Sequence, residues 1–535
     1  MSRWDTLDGR SVLAVARTVT STTRLRDALE VFRGDQRLTV TWAFDDGSEF
    51  AGTVPDFLRR SRIDRVLDWD EVAGHRFDLV VTASENVRFE RVNGPSVVLP
   101  HGAGFYKYVP SSTGDGRHVA GLVAPELLRR GDITLVVAHE SLVAQAEKLC
   151  PEAVGHLVVA GDPSYDQLVR SVRFAETYKE SLGVHSGQRL VVVTSTWGPE
   201  SLLGRCATLP AQLLAVLPAD EYRVALILHP NAPAAHSSWE IARRLATAED
   251  GGLLRIPQDS GWHAALCAAD LVVADHGSVG LYAAALEKPL LLMPPAAESV
   301  RGTTAAELAM LAPRLRLDAP LREQVEAAID GHRPGRLRSV TDRMFSPPGN
   351  ALADLRRLFY RIMDLSPPDE PVRQLLAPRP RLERLQATAF QVFSEIDDDV
   401  LALRRYPPDA RRDPLGGPQT RRHLAVAHDE PDGRLRDFAE IFADRNEKPR
   451  GAAERTIARA LHDYPGLRFA ACQTSHGCLA RSADGSGFLV DDHGADLDPL
   501  LLASAGFAAR TRKNIVLRLG ARRVTLSVSA DRSPS

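Results

Sequence analysis

Short runs of branched apolar residues alternate with stretches of helical spacing over the first 365 residues, and this alternation constrains the fold more than any other feature of the chain. Runs at 11–19, 38–44, 64–67, 77–82, 96–99, 133–138 and 157–160 suit strands buried on both faces. Between them, 22–32 and 54–63 have helical character, with Leu25, Leu29 and Phe32 on one helix face. A second series follows at 189–194, 222–228, 253–256, 270–274 and 289–293, and 349–363 reads as a closing helix. Strands alternating with helices mean parallel sheets wound by helices. The expected fold class is α/β: two Rossmann-like domains, 1–165 and 166–365, facing a cleft.

In such sheets ligands bind beyond the carboxyl ends of the strands. The polar residues directly after strands are therefore the candidates. They are Pro100-His101-Gly102, His139-Glu140-Ser141, Gly161-Asp162-Pro163, Ser195-Thr196-Trp197, His229-Pro230-Asn231 and Asp275-His276-Gly277-Ser278. The last group lies between a strand and an Ala-rich helical segment that Pro289 ends. Backbone N–H groups at the positive end of a helix dipole suit a phosphate or diphosphate. The plain alternative is an ordinary helix start with Ser278 as its N-cap.

Taken in order, these segments resemble the CDP-glycerol glycerophosphotransferases, the teichoic-acid polymerase and primase group, which have the GT-B fold. The family's H-G-T segment is matched by His101-Gly102-Ala103, with Lys107 at a family lysine. Its G-x-P-R-x-D segment is matched by 161–166, with Ser164 in place of the arginine. Its P-T-W is matched by Ser195-Thr196-Trp197, its H-P by His229-Pro230, and its T-D-Y-S-S by Ala274-Asp275-His276-Gly277-Ser278. The likeness runs from about His101 to Phe345 and is weaker over 11–100. The D-x-G-S pattern and its Ala-rich helix also look like the UDP-N-acetylglucosamine 2-epimerases, which share this fold.

The resemblance implies transfer of a polyol-phosphate or sugar from a nucleotide-diphosphate donor, of CDP-glycerol type, to a glycan or lipid-linked acceptor in cell-wall polymer synthesis. Such a transfer needs a base at the acceptor hydroxyl and stabilised charge on the leaving phosphate. His101 and His229 are the candidate catalytic residues, His101 as the base. Gly102, Thr196, Pro230, Asp275, His276, Gly277 and Ser278 are the candidate nucleotide and diphosphate binders. Asp275 is expected to orient its loop, and Trp197 to stack on a base or to sit in the core. No cofactor and no metal are expected. Two alternatives stand beside the transferase: an epimerase acting on a UDP-sugar, and a catalytically silent GT-B scaffold.

Residues 366–380 carry Pro367-Pro368 and Pro378-Arg379-Pro380 and read as a linker. Residues 381–535 are expected to form an accessory α+β module without catalytic residues. Its helices are expected at 435–442 and 452–461, and its strands at 469–472, 487–490, 515–519 and 524–528. The Arg- and Asp-rich stretch near 404–422 reads as exposed loop. A net charge of −3 points away from nucleic acid. Cys150, Cys206 and Cys267 read as buried thiols, and Cys472 and Cys478 flank His476 without zinc spacing. The first ten residues lack the apolar core of a signal peptide, and no apolar run is long enough to span a bilayer. The expected location is the cytoplasm, with peripheral contact at the inner face of the cell membrane.

Overall fold

The computed structural model describes residues 9–110, 117–258, 260–382, 386–410, 417 and 420–531. In the first domain the chain forms β1 (Arg10–Ala16), β2 (Leu38–Phe44), β3 (Val66–Leu67), β4 (Leu79–Thr82) and β5 (Ser96–Val98). A small hairpin of β6 (Tyr108–Pro110) and β7 (Arg117–Val119) comes next, then β8 (Ile133–Val137) and β9 (Leu157–Val159). Seven of these strands make one parallel sheet, ordered β3-β2-β1-β4-β5-β8-β9. β1 shows why such runs become inner strands: Val12 to Ala16 are all 0% exposed, so both faces are covered by helices. The run stops at Ala16, short of the expected Val19, because Thr18 leaves the strand to cap the helix Val19–Ala28.

The second domain contributes β10 (Arg189–Ser195), β11 (Tyr222–Leu228), β12 (Leu254–Ile256), β13 (Leu271–Ala274) and β14 (Leu290–Leu292). They form a parallel sheet ordered β12-β11-β10-β13-β14. The strand order reverses between β1 and β4 in the first sheet and between β10 and β13 in the second. Such a switch point opens a crevice at the carboxyl ends of the strands. The two crevices open on one shared cavity.

The closing helix, Ala351–Ile362, shares its core with the first domain. Its Leu352, Leu355, Leu358 and Phe359 share a core with Val12, Leu25, Phe32 and Leu79. Its start is pinned by Asp166, whose carboxylate accepts the Ala351 N–H at 2.9 Å. Gly161 (φ +74) passes so close that a Cβ there would stand 3.2 Å from Ala351.

Past the linker the expected α+β module is a closed barrel. Its strands are β15 (Ala389–Asp397), β16 (Val400–Tyr406), β17 (Arg421–Ala427), β18 (Ile441–Asp444), β19 (Phe469–Thr474), β20 (Gly477–Ser482), β21 (Gly487–Asp491), β22 (Asn514–Leu519) and β23 (Arg522–Ala530). A helix, Pro499–Ala509, is buried against strands β16 to β21. Two expectations fail here. The helix expected over 435–442 ends at Phe438, and Ile441 begins β18, paired in parallel with both β17 and β19. The Arg-rich stretch is not all loop, since Arg404 and Arg405 belong to β16 and Arg421 and Arg422 to β17. Arg405 is buried because it meets carboxylates on two sides. It pairs with Asp220 of the second domain at 2.7 Å and with Asp498 of the barrel. Cys206, expected buried, is half-buried at the end of the short helix Leu202–Arg205.

Candidate active site

A cavity of about 500 Å³ lies between the two domains, at the carboxyl ends of their inner strands. The first domain lines it with Arg17 and Thr18 after β1, Ser84 and Glu85 after β4, and His101 and Gly102 after β5. The second domain lines it with Thr196 and Trp197 after β10, His229 after β11, and His276, Gly277 and Ser278 after β13. Of the residues expected from sequence, His101, Gly102, Thr196, His229, His276, Gly277 and Ser278 converge there, while Pro230 and Asp275 do not line it.

Asp275 is 4% exposed and works beneath the surface. Oδ2 accepts the Thr196 N–H at 2.8 Å, the Thr196 hydroxyl at 2.7 Å and the Leu202 N–H at 3.0 Å, while Oδ1 accepts the Gly277 N–H at 3.0 Å. One carboxylate thereby fixes the loops after β10 and β13 and the start of the helix that follows β10. Gly277 is required by this packing, since a Cβ there would stand 2.6 Å from Thr196 Cγ2. Gly277, not Ser278, is the N-cap of the helix Ser278–Ala285, and no side chain caps that helix. The Ser278 side chain points instead across the cleft. Its Oγ lies 2.5 Å from the Tyr106 hydroxyl and 3.4 Å from the Ala103 N–H that donates to it. A Cβ on Gly102 would stand 2.5 Å from the same oxygen, so the glycine of the His-Gly pair is what lets the domains meet here. Burial pushes the Tyr106 phenol up to about 12.

His101 stands on the opposite wall, its side chain 35% exposed to the cavity. Its Nδ1 is 3.5 Å from Glu85 Oε2, and Glu85 is itself buried, its other oxygen accepting the Gly121 N–H at 2.9 Å. A carboxylate at Nδ1 favours the tautomer with the proton there and leaves the lone pair on Nε2. His229 is arranged the other way. Its Nδ1 accepts the Asn231 N–H at 3.1 Å, so the neutral ring carries its proton on Nε2. Burial, with His101 and Lys107 nearby, lowers this imidazole to about 3, and it stays neutral at physiological pH. Nε2 of His229 is thus a hydrogen-bond donor.

Three groups at or beside the cavity were not among the candidates read from sequence. Glu298, in the loop after β14, lies 2.5 Å from His276 Nε2 and 3.0 Å from Lys107 Nζ. Burial alone would raise its carboxyl; the close approach of His276 and Lys107 outweighs burial and holds it at about 2. Lys107 Nζ also lies 5.2 Å from the centre of the Trp197 ring, which packs against Phe50 at 4.6 Å. Trp197 is therefore half-buried at the cavity wall and not in a core. The other two missed groups are Tyr106 and Glu85. Glu85 had a usable signal, because it follows a strand as directly as His101 does.

No protein-family model and no curated protein matches the chain. Among solved structures it is similar to the wall teichoic acid polymerase TagF, at 13% identity and TM-score 0.44, over 66% of this chain and 89% of that one. It is also similar to Anabaena Alr3699/HepE in complex with UDP and glucose, at 13% identity and TM-score 0.37, over 66% and 99% of the two chains. A third is the UDP-GlcNAc 2-epimerase from Neisseria meningitidis bound to UDP-GlcNAc, at 11% identity and TM-score 0.36, over 66% and 99%. Among the described residues no helix is long and apolar enough to cross a membrane.

Proposed function

We propose that the chain is a transferase that moves a polyol-phosphate, or a sugar, from a nucleotide-activated donor to a hydroxyl of a glycan or lipid-linked acceptor. One observation carries this reading. A histidine oriented by a buried carboxylate, His101 with Glu85, faces the same cavity as the helix start at Gly277–Ser278. The first suits proton removal from an acceptor hydroxyl, and the second suits a diphosphate.

With a CDP-glycerol type donor, the acceptor oxygen attacks the phosphorus that bears glycerol. Its proton passes to Nε2 of His101, and the bond to the nucleotide phosphate breaks, releasing CMP. Charge on the leaving phosphate is met by the N–H groups at Ser278 and Val279 and by Nε2–H of His229. Asp275 keeps that loop in place, and Lys107 sits at the cavity wall with its charge tempered by Glu298. The donor preference for CDP-glycerol rests on the ordered motif resemblance.

A second reading is a silent scaffold, and it is favoured by the contact of Ser278 with Tyr106, which occupies the hydroxyl a diphosphate would use. Incubation with CDP-glycerol, CDP-ribitol and UDP-N-acetylglucosamine tests both readings and the epimerase. Release of CMP or UDP in the presence of an acceptor supports transfer. A 2-epimer supports the epimerase, and no product from any donor leaves the scaffold.

A further inference from the structure

A second cavity, of about 300 Å³, lies on the outer edge of the second domain, between β14 and the helix Leu321–Asp330. None of its lining residues belongs to the interdomain cavity. Lys288, Arg314, Arg333, Arg336, Arg338 and His332 all line it, against a single carboxylate among the described residues, Glu287, which pairs with Arg338 at 2.8 Å. Arg336 donates to the Leu311 carbonyl at 3.1 Å, and Lys288 to the Cys267 carbonyl at 2.6 Å. Arg314, Arg333 and Arg336 meet no carboxylate among the described residues, and the buried Nε2 of His332 has no partner among them.

Cationic groups on a solvated surface are ordinarily interspersed with acids. Here they are gathered around one concavity, beside a histidine nitrogen left without a partner. Guanidinium forks match phosphate oxygens in geometry as well as charge. We propose that this cavity binds a phosphate group, carried either on a small soluble ester or on a lipid headgroup. Exposed apolar residues close to Arg314 in sequence bring in the second source: Met310, Leu311 and Leu317 are exposed by 68%, 45% and 45%. The proposal is independent of the reading of the interdomain cleft.

The test uses the full chain and its Arg333→Gln/Arg336→Gln double variant, which alters exposed side chains only. The soluble arm is calorimetric titration with inorganic phosphate and glycerol 3-phosphate at fixed ionic strength. The lipid arm is flotation with phosphatidylcholine vesicles, with and without phosphatidic acid. Binding in the soluble arm that weakens at least tenfold in the double variant, at unchanged melting temperature, supports a soluble ester. Flotation that needs both phosphatidic acid and the arginines, and that Met310→Ser/Leu311→Ser also weakens, supports a headgroup. Binding in neither arm, or equal binding by the double variant in both, overturns the proposal.

Discussion

The hydroxyl of Tyr106, from the first domain, lies 2.5 Å from Oγ of Ser278, the first residue of the helix that follows β13 in the second. The two halves of the molecule are thus latched through the oxygen that a diphosphate would claim. Tyr106→Phe removes the competitor. Nucleotide affinity is expected to rise about three- to tenfold, because less of the population holds Ser278 engaged. The free chain is expected to lose about 1 kcal/mol with the hydrogen bond. Calorimetric titration and thermal denaturation read the two effects, and unchanged affinity would show that the latch does not compete with the ligand.

Gly102 and Ser278 should be coupled. Gly102→Ala puts a Cβ 2.5 Å from Ser278 Oγ, and it is expected to destabilise the chain by about 1–3 kcal/mol. In a Ser278→Ala background the clashing oxygen is gone, and most of that cost should disappear. Ser278→Ala alone removes a hydrogen bond to a charged ligand, worth about 1.5–3 kcal/mol, so nucleotide affinity falls by one to two powers of ten, roughly. A double-mutant cycle measures the coupling. Additive costs would mean that the two loops separate freely.

Stability should fall on acidification from about pH 6.5. His229 is lowered to about 3, and His423, buried in the barrel beside Arg468, to about 4. Both rings titrate near 6.5 once unfolded. Between those values the unfolded chain takes up protons that the folded chain refuses, so the stabilisation is complete above pH 6.5 and is lost as pH drops toward 3. Glu298, held at about 2, adds a loss of the same sign below its ordinary value of 4.5. Urea midpoints at pH 7 and pH 5 check this. Equal midpoints would show that the two histidines titrate normally in the fold.

Among the described residues, none of the barrel's lines the interdomain cavity. A chain ending after Leu382 should therefore fold and bind nucleotide. The cut belongs there and not near Ala377, because the linker is part of the second domain's surface: the Ala377 carbonyl accepts the Tyr178 hydroxyl at 2.9 Å, and its N–H donates to Ser171 Oγ at 2.9 Å. Truncation exposes Asp220, whose bidentate partner Arg405 leaves with the barrel. Solvent can hydrate that carboxylate, so the cost should stay modest. An insoluble product would show that the barrel also covers apolar surface that the second domain needs.

The parallel sheets were legible because an inner strand buried on both faces is a run of branched residues whatever its neighbours are. The convergence of His101, His229 and Ser278 on one cavity was legible for a related reason, since polar side chains directly after such runs gather at the carboxyl ends of the strands. The barrel was not. Its β16 carries Arg404 and Arg405, and Arg405 looks solvated until Asp220 and Asp498, distant in sequence, close around it. The helix Pro499–Ala509 is enclosed on nearly every side, so its sequence has no apolar stripe to reveal it. The return of Ala351–Ile362 to the first domain was equally hidden, because an amphipathic face does not say which sheet it covers.

The most direct test of the central claim is a paired measurement on His101→Ala, of nucleotide affinity and of CMP or UDP release with an acceptor present. If His101 is the base and the Gly277–Ser278 loop holds the diphosphate, affinity should stay within about threefold of the parent while turnover falls by 10²–10⁴, roughly, the range for losing a general base. Turnover unchanged in the variant, or affinity lost together with turnover, would contradict the assignment of proton removal to one wall of the cleft and phosphate binding to the other.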